Sequence, residues 1–374
     1  MNGRIRVRLV PKSSQGESLT MHLDELSPRT AKRFASDAGR AHDALRGMLN
    51  MSREVTASLS QQNTVSSTMP RECVRDIFGV DLIERRSPEE LSDRQVSTAT
   101  YFSPAPNVEL PVPEALKDTI AFAYIPTPPL FMAATPIPPR VRLYHLSLGE
   151  VMAVLGAARC HRRGWTGRGV RVTMADTGFA NHPFFEQHGF NITRVHTPQT
   201  DHPLIDTNGH GTGESANALV IAPDCAFFGV KHDDYSAQAL ETSLAQTPRI
   251  ITNSWGWNID SQTKEQLRQE NPNLYNEMLD VERIINDAIA DGVVVIFSAG
   301  NGHRSFPGCL PEVLAIGGVT VEQSGGLKAS SYASSFVSRL YPSRVVPDVC
   351  GIVGKYKSPG PMPGHIMLPV PPGQ

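Results

Sequence analysis

A chain of 374 residues has room for one large domain and a smaller companion, and its 40% hydrophobic and 19% charged residues are those of an ordinary globular protein. A formal net charge of −2 argues against a nucleic-acid or anionic-membrane partner, and no apolar run nears the roughly 20 residues that span a bilayer. The start, M-N-G-R-I-R-V-R-L-V-P, is basic with no apolar core behind it, and five scattered cysteines lack metal or redox spacing, so reduced thiols in a cytoplasmic protein are expected.

The first element is an alternation: Ile5, Val7 and Leu9 against Arg4, Arg6 and Arg8, which predicts an amphipathic strand. Residues 26–49 read as a helix, with Ser27 and Pro28 as N-cap and first turn and Ala35, Ala38, Ala41, Leu45 and Leu49 as its apolar stripe. Residues 72–84 suit a helix or a strand, and 87–97 are polar and expected in a loop. This first third carries no catalytic pattern. From Thr127 to Arg140 five prolines predict extended chain, with Leu130, Phe131 and Met132 lying on some surface.

Residues 148–161 predict a helix with Val151, Val154, Leu155 and Ala158 inward. The stretch from Gly169, G-V-R-V-T-M-A-D-T-G-F-A, is the one around which the rest of the chain is organised. Val170, Val172 and Met174 alternate as in a strand, Asp176 stands where the strand stops, and Gly178 permits a sharp turn. A carboxylate at the C-terminal end of a buried parallel strand lies where α/β sheets place ligands. The next stretch is polar and read as loop, with His182, His188, His196, Asp201 and His202 at spacings that match no standard metal site.

From Asn208 the chain reads N-G-H-G-T-G, with glycines flanking His210. A helix is expected over 211–222, a strand over 226–231, a helix over 236–246 and a strand over 250–254 that opens I-I-T-N-S-W-G-W. Residues 257–275 are polar, irregular and then helical, like an insertion, and 278–291 form an amphipathic helix. From Val293, V-V-V-I-F-S-A-G-N-G is a β-branched strand ending in a Gly-flanked amide, Asn301. Strands alternating with helices imply right-handed crossovers and a parallel sheet.

Four blocks in this order resemble the subtilisin-like serine proteases (subtilases, peptidase family S8), over roughly Ser147 to Gly354. The resemblance implies a three-layer α/β fold, with a mainly parallel sheet flanked by helices and preceded by a small α+β N-terminal domain. It divides the chain into residues 1–125, propeptide-like or an accessory α+β region; 126–145, a Pro-rich linker; and 146–374, a catalytic domain incomplete at its C-terminus. In the family's roles Asp176 orients the imidazole, His210 is the general base and Asn301 donates its amide to the oxyanion. Ser254, Trp255 and Gly256 would offer backbone to an extended peptide, and Ala299 and Gly300 would line the pocket before the cut. The implied partners are a peptide or protein substrate and an intramolecular propeptide. No cofactor is implied; many relatives hold structural calcium, but no Asp-rich loop here marks a site for it.

Two departures stand out. Where family members often carry a second His, this chain has Gly213, followed by Glu214. The G-T-S block that supplies the nucleophile should follow Val345 to Gly354, but the chain continues K-Y-K-S-P-G-P-M-P-G and ends at Gln374. Ser358 precedes Pro359, which disfavours a helix there, and Ser330, Ser331, Ser334 and Ser335 lie in a different block. The expectation is thus an endopeptidase whose serine is not in this chain. The alternative is an inactive subtilase-like module that binds peptides.

Overall fold

A computed structural model describes residues 4–22, 25–86, 100–131, 145–197, 200, 202–232, 235–259, 262–322, 324–354 and 365–371. In chain order the elements are β1 (Arg4–Pro11), α1 (Ala38–Met51), β2 (Thr56–Leu59), β3 (Val65–Pro70), α2 (Arg71–Phe78), β4 (Leu82–Arg86), β5 (Thr100–Pro104) and β6 (Ile120–Tyr124). Next come β7 (Leu130–Phe131), β8 (His145–Leu146), α3 (Leu148–Val154), α4 (Ala157–Arg162), β9 (Arg171–Asp176), α5 (Pro183–His188), β10 (Ile192–His196), α6 (His210–Ile221) and β11 (Ala226–Lys231). After them are α7 (Ser236–Ala245), β12 (Ile250–Asn253), β13 (Trp255–Asn258), α8 (Lys264–Glu270), α9 (Pro272–Ala290), β14 (Val294–Ser298), β15 (Ser305–Phe306) and β16 (Leu314–Val321). Short strands β17 (Leu327–Ala329), β18 (Phe336–Val337), β19 (Val345–Val346), β20 (Val349–Ile352) and β21 (His365–Ile366) complete the chain.

Two units divide these elements. The first comprises Met1–Pro129, Asp234–Glu241 and Gln262–Gly292; the second comprises Leu130–Asp233, Thr242–Ser261 and Val293–Gln374. The N-terminal region therefore shares its unit with α8 and α9, which lie within the stretch that resembles the proteases. Of residues 257–275, read from sequence as an insertion, 262–275 belong to this first unit and 257–261 to the second.

The first unit holds an antiparallel sheet in the order β2-β3-β1-β6. Ile5, Val7 and Leu9 enter a core with Met48 of α1, Met69 of β3 and Val74 and Phe78 of α2, as alternation requires. The opposite face departs from expectation, because Arg8 is 0% exposed. Its Nε donates to Asp280 Oδ2 at 2.6 Å and its Nη2 to Glu241 Oε1 at 2.7 Å. Tyr124 donates its hydroxyl to Asp280 Oδ2 at 2.9 Å, and Arg283 binds Asp280 Oδ1 at 2.7 Å. Asn273, Glu277 and Asp280 recur at i, i+4 and i+7, so α9 turns one polar stripe inward. Asn273 exchanges two hydrogen bonds with the backbone of Ile125, and Glu277 accepts from the N–H and hydroxyl of Thr127.

The helix read over 26–49 is shorter. A 3-10 turn at Ala31–Phe34 buries Phe34, Ala35 is extended, and α1 starts at Ala38 under an Asp37 cap that accepts from the Arg40 N–H. Ser27 instead closes a turn with Thr30, and Leu49 is exposed. Residues 72–84 contain both a helix and a strand, α2 followed by β4. The loop read at 87–97 lies outside the described residues, as does Met132.

The second unit is built on a sheet in the order β10-β11-β9-β12-β14-β16-β17, with β20 also paired to β16. All of these pairings are parallel except β16–β17. Helices flank this sheet, which is the α/β arrangement expected. After β9 the chain runs to β10 and back to β11 on one side; β12, β14 and β16 then extend the other side. Strand order therefore reverses between β9 and β12, and such switch points open a crevice at the strands' C-terminal ends.

Two local expectations fail. Gly156 takes a left-handed conformation, φ 76°, so the helix read over 148–161 splits into α3 and α4. The break ends the apolar stripe: Val151 is buried, whereas Val154 and Leu155 are exposed. The histidine-rich loop contains α5 and β10, where Phe185 packs with Phe179 and Phe227 in the core beside α6. His182 caps α5 by accepting from the Phe184 N–H. Both elements are too short to show a clear period: α5 carries only Phe184 and Phe185 after Pro183, and β10 only Ile192 and Val195.

Candidate active site

Asp176 ends β9 and is fully enclosed. The β9–β12 ladder pairs only Ile250 with Val172 and Ile251 with Thr173. Beyond that, side chains take over: the Ala175 N–H donates to Asn253 Oδ1 at 3.0 Å, and Trp255 Nε1 donates to the Ala175 carbonyl at 2.9 Å. The sheet thus parts beside Asp176 without leaving Ala175 unsatisfied.

His210 is the first residue of α6 and is buried. Its Nδ1 lies 2.7 Å from Asp176 Oδ1, which also accepts from the Thr177 N–H at 2.8 Å. Glycines make this approach possible. A Cβ on Gly211 would stand 2.3 Å from the Gly178 carbonyl and 3.0 Å from the Asp176 Cβ. A Cβ on Gly178 would stand 2.3 Å from the Ile205 carbonyl. Burial disfavours the imidazolium, but Asp176, with further help from Glu214 and Asp206, outweighs it and pushes His210 up to about 9. Glu214 follows one turn later on α6; burial pushes its carboxyl up, against the pull of His210.

Asp206 is the residue that sequence reading passed over. Its Oδ1 accepts from the Gly209 N–H and the Thr177 hydroxyl, both at 2.8 Å. Its Oδ2 accepts from the Thr212 N–H at 3.0 Å and the Thr212 hydroxyl at 2.6 Å. A carboxylate at a helix N-terminus meets both free N–H groups and the positive end of the dipole. The available signal was an Asp three residues before a Gly N-cap, which has no side chain of its own for capping.

Trp255 is a core residue by its side chain, 0% exposed, packed edge-on to His232 and Phe297 at centroid distances of 4.9 and 5.0 Å. Its backbone lies on β13, where Trp255 pairs with Phe131 and Gly256 with Leu130, antiparallel. The backbone that sequence reading assigned to an extended peptide is thus engaged by the chain's own residues 130–131. Gly256 is required there: a Cβ would meet the Phe306 carbonyl at 2.4 Å. Ser254, half-buried, joins β12 to β13.

Asn301 follows β14 on a loop that opens Ala299-Gly300, and it is half-buried. Because β14 runs parallel to β12, this loop leaves the same end of the sheet as Asp176. Ala299 is buried and donates its N–H to the Ile316 carbonyl at 2.8 Å; Gly300 is left-handed, φ 114°. Of the serines weighed as nucleophile, Ser330 donates to the Gly354 carbonyl at 2.9 Å and Ser334 to the His303 carbonyl at 2.6 Å. Ser358 lies outside the described residues. Among the described residues no group of three His, Cys, Asp or Glu side chains could hold a metal ion, and no helix is long and apolar enough to cross a membrane.

Residues 167–350 match the family model of the subtilases. Over 241 residues the chain is 26% identical to the M-protease of Shouchella clausii (strain KSM-K16), covering 57% of this chain and 60% of that protein. It is 26% identical to Subtilisin Savinase of Lederbergia lenta over 57% of this chain and 85% of that protein. The chain spans about 60% of the length of the first of these relatives. In fold it is similar to the epidermin leader peptide processing serine protease of Staphylococcus aureus, at 11% identity and a TM-score of 0.52, over 94% of this chain and 76% of that one. The match in sequence runs from the turn before β9 to β20, through the strand that ends in Asp176 and the helix that opens with His210, and over that stretch the chain is similar to the subtilase family.

Proposed function

We propose that this chain carries the acid, base and amide of a subtilisin-type serine endopeptidase acting on peptides or proteins, with a serine that lies outside the 374 residues. The observation that carries the reading is the buried 2.7 Å contact between His210 Nδ1 and Asp176 Oδ1 at the switch point of the sheet. With Nδ1 facing a carboxylate, Nε2 is the nitrogen that takes a proton from a serine hydroxyl as it attacks a peptide carbonyl. His210 then returns that proton to the leaving amine. Asp176 holds the tautomer and stabilises the imidazolium without itself being protonated. Asn301 donates its side-chain amide to the oxyanion.

Extended substrate is held by β-augmentation on β13, through Ser254, Trp255 and Gly256, with Ala299 and Gly300 lining the pocket. This is supported by the antiparallel pairing of residues 130–131 there, which also favours a propeptide-like role for the N-terminal region. The test is fluorophosphonate labelling of a protein extended past residue 374. Labelling that disappears in His210→Ala supports the reading; a folded extended protein that takes no label rejects it. The same pairing gives some weight to a second reading, a peptide-binding module without chemistry. That reading predicts saturable binding of extended peptides by the 374-residue chain itself.

A further inference from the structure

We infer that Ser334 is a positioning residue for Asn301, holding the loop that presents its amide. The inference rests on the reading of Asn301 as oxyanion donor, and its physical content is a clamp closed on both sides of that residue. The Ser334 N–H donates to the Gly300 carbonyl at 2.9 Å. The Ser334 hydroxyl accepts from the Gly302 N–H at 3.0 Å and donates to the His303 carbonyl at 2.6 Å. The residue before Asn301 and the two after it are thus tied to one serine, which is 6% exposed.

Local geometry explains why the loop needs an outside tie. Gly300 and Gly302 both have positive φ, 114° and 85°, so Asn301 stands between two left-handed residues outside any regular ladder. The clamp also leaves no room for a larger residue: a Cβ on Gly300 would lie 2.9 Å from the His303 carbonyl and 3.0 Å from Ser334 Oγ. A hydroxyl is the group that can close it, since it accepts one bond and donates one. Its single proton goes to His303, so Ser334 is bound to the loop and is not free to act as a nucleophile. An oxyanion donor acts through being fixed before charge develops, so a residue that fixes it contributes without touching substrate.

Hydrogen exchange and side-chain amide spectra of the 374-residue chain test this without substrate or nucleophile, so they can fail independently of the protease reading. In Ser334→Ala the Gly302 amide should exchange about tenfold faster, the effect of losing one part-buried hydrogen bond. The Asn301 side-chain amide signals should shift and broaden, while the Val295 and Phe297 amides of β14 keep their protection. Ser334→Thr, which keeps the hydroxyl, should restore both signals. If Ser334→Ala does not fold, Ser334→Cys, with a weaker donor, should give an intermediate Gly302 rate. Unchanged Gly302 and Asn301 signals in a folded Ala or Cys variant would overturn the inference. So would acceleration spread equally over β14, or a Thr variant that behaves like Ala.

Discussion

Asp280 in the first unit and Asp176 in the second are both 0% exposed, and both bind a side chain that can be cationic, but they are satisfied differently. Asp280 engages both oxygens, Oδ2 with Arg8 and Tyr124 and Oδ1 with Arg283. Burial pushes its carboxyl up, yet Arg8 and Arg283 outweigh that and hold it below the usual range. Asp176 gathers its bonds on Oδ1, while Oδ2 has no hydrogen-bond partner among the described residues. Its partner is an imidazole, which can release its charge where a guanidinium cannot. The first arrangement keeps a charge in place; the second leaves a proton able to move.

The largest effect should separate the two in rate. In a protein that includes the serine, His210→Ala should lower turnover by about 10⁶. Asp176→Asn should cost about 10⁴ through the wrong tautomer. Arg8→Met should leave kcat unchanged once the protein is folded; a comparable loss of rate would break the comparison. In stability the order reverses. Arg8→Met should cost about 3–5 kcal/mol in a denaturant titration, because Asp280 and Glu241 stay buried with their shared cation gone. Asn301→Ala comes next for catalysis, at about 10²–10³ in kcat with KM little changed.

Titration sharpens the contrast, because the two sites respond in opposite directions. Asp280 has a depressed folded pKa, so its contribution is present above the unfolded carboxylate value and is lost as pH falls through the folded one. Asp280→Asn should flatten the acid limb of a stability–pH curve. His210 has a raised folded pKa, so its contribution is present below the unfolded imidazole value and is lost as pH rises through about 9. His210→Gln should flatten the alkaline limb, and an imidazole that titrates at its ordinary value by NMR would refute the assignment. The smallest effect belongs to Asp206→Ala, at roughly 1–2 kcal/mol from the lost helix N-terminal bonds, read as a shift in denaturant midpoint.

The parallel strands were legible because their apolar runs end abruptly at marked residues. Val172 and Met174 lead to Asp176, and Val295 and Phe297 lead towards Asn301, each run bounded by glycine. His210 was visible through its flanking glycines, whose purpose is steric: Gly211 passes where a side chain would strike the Gly178 carbonyl. Asp206 was passed over because its bonds to Gly209, Thr212 and Thr177 depend on a loop path that no spacing encodes. Arg8 was read as the wet side of an amphipathic strand, which is what alternation says of one strand alone.

The sequence by itself determined the resemblance to the subtilases, the α/β class and the order of the acid, imidazole and amide blocks, because those depend on local periodicity and on residues adjacent in the chain. Tertiary structure alone decided that Arg8 is buried against Glu241 and Asp280, that Leu130 and Phe131 pair with β13, and that Ser334 grips the Asn301 loop. Each of these joins groups 31 to 272 residues apart or pairs distant strands. A polar side chain looks the same in sequence whether its partner is water or a residue brought to it by folding.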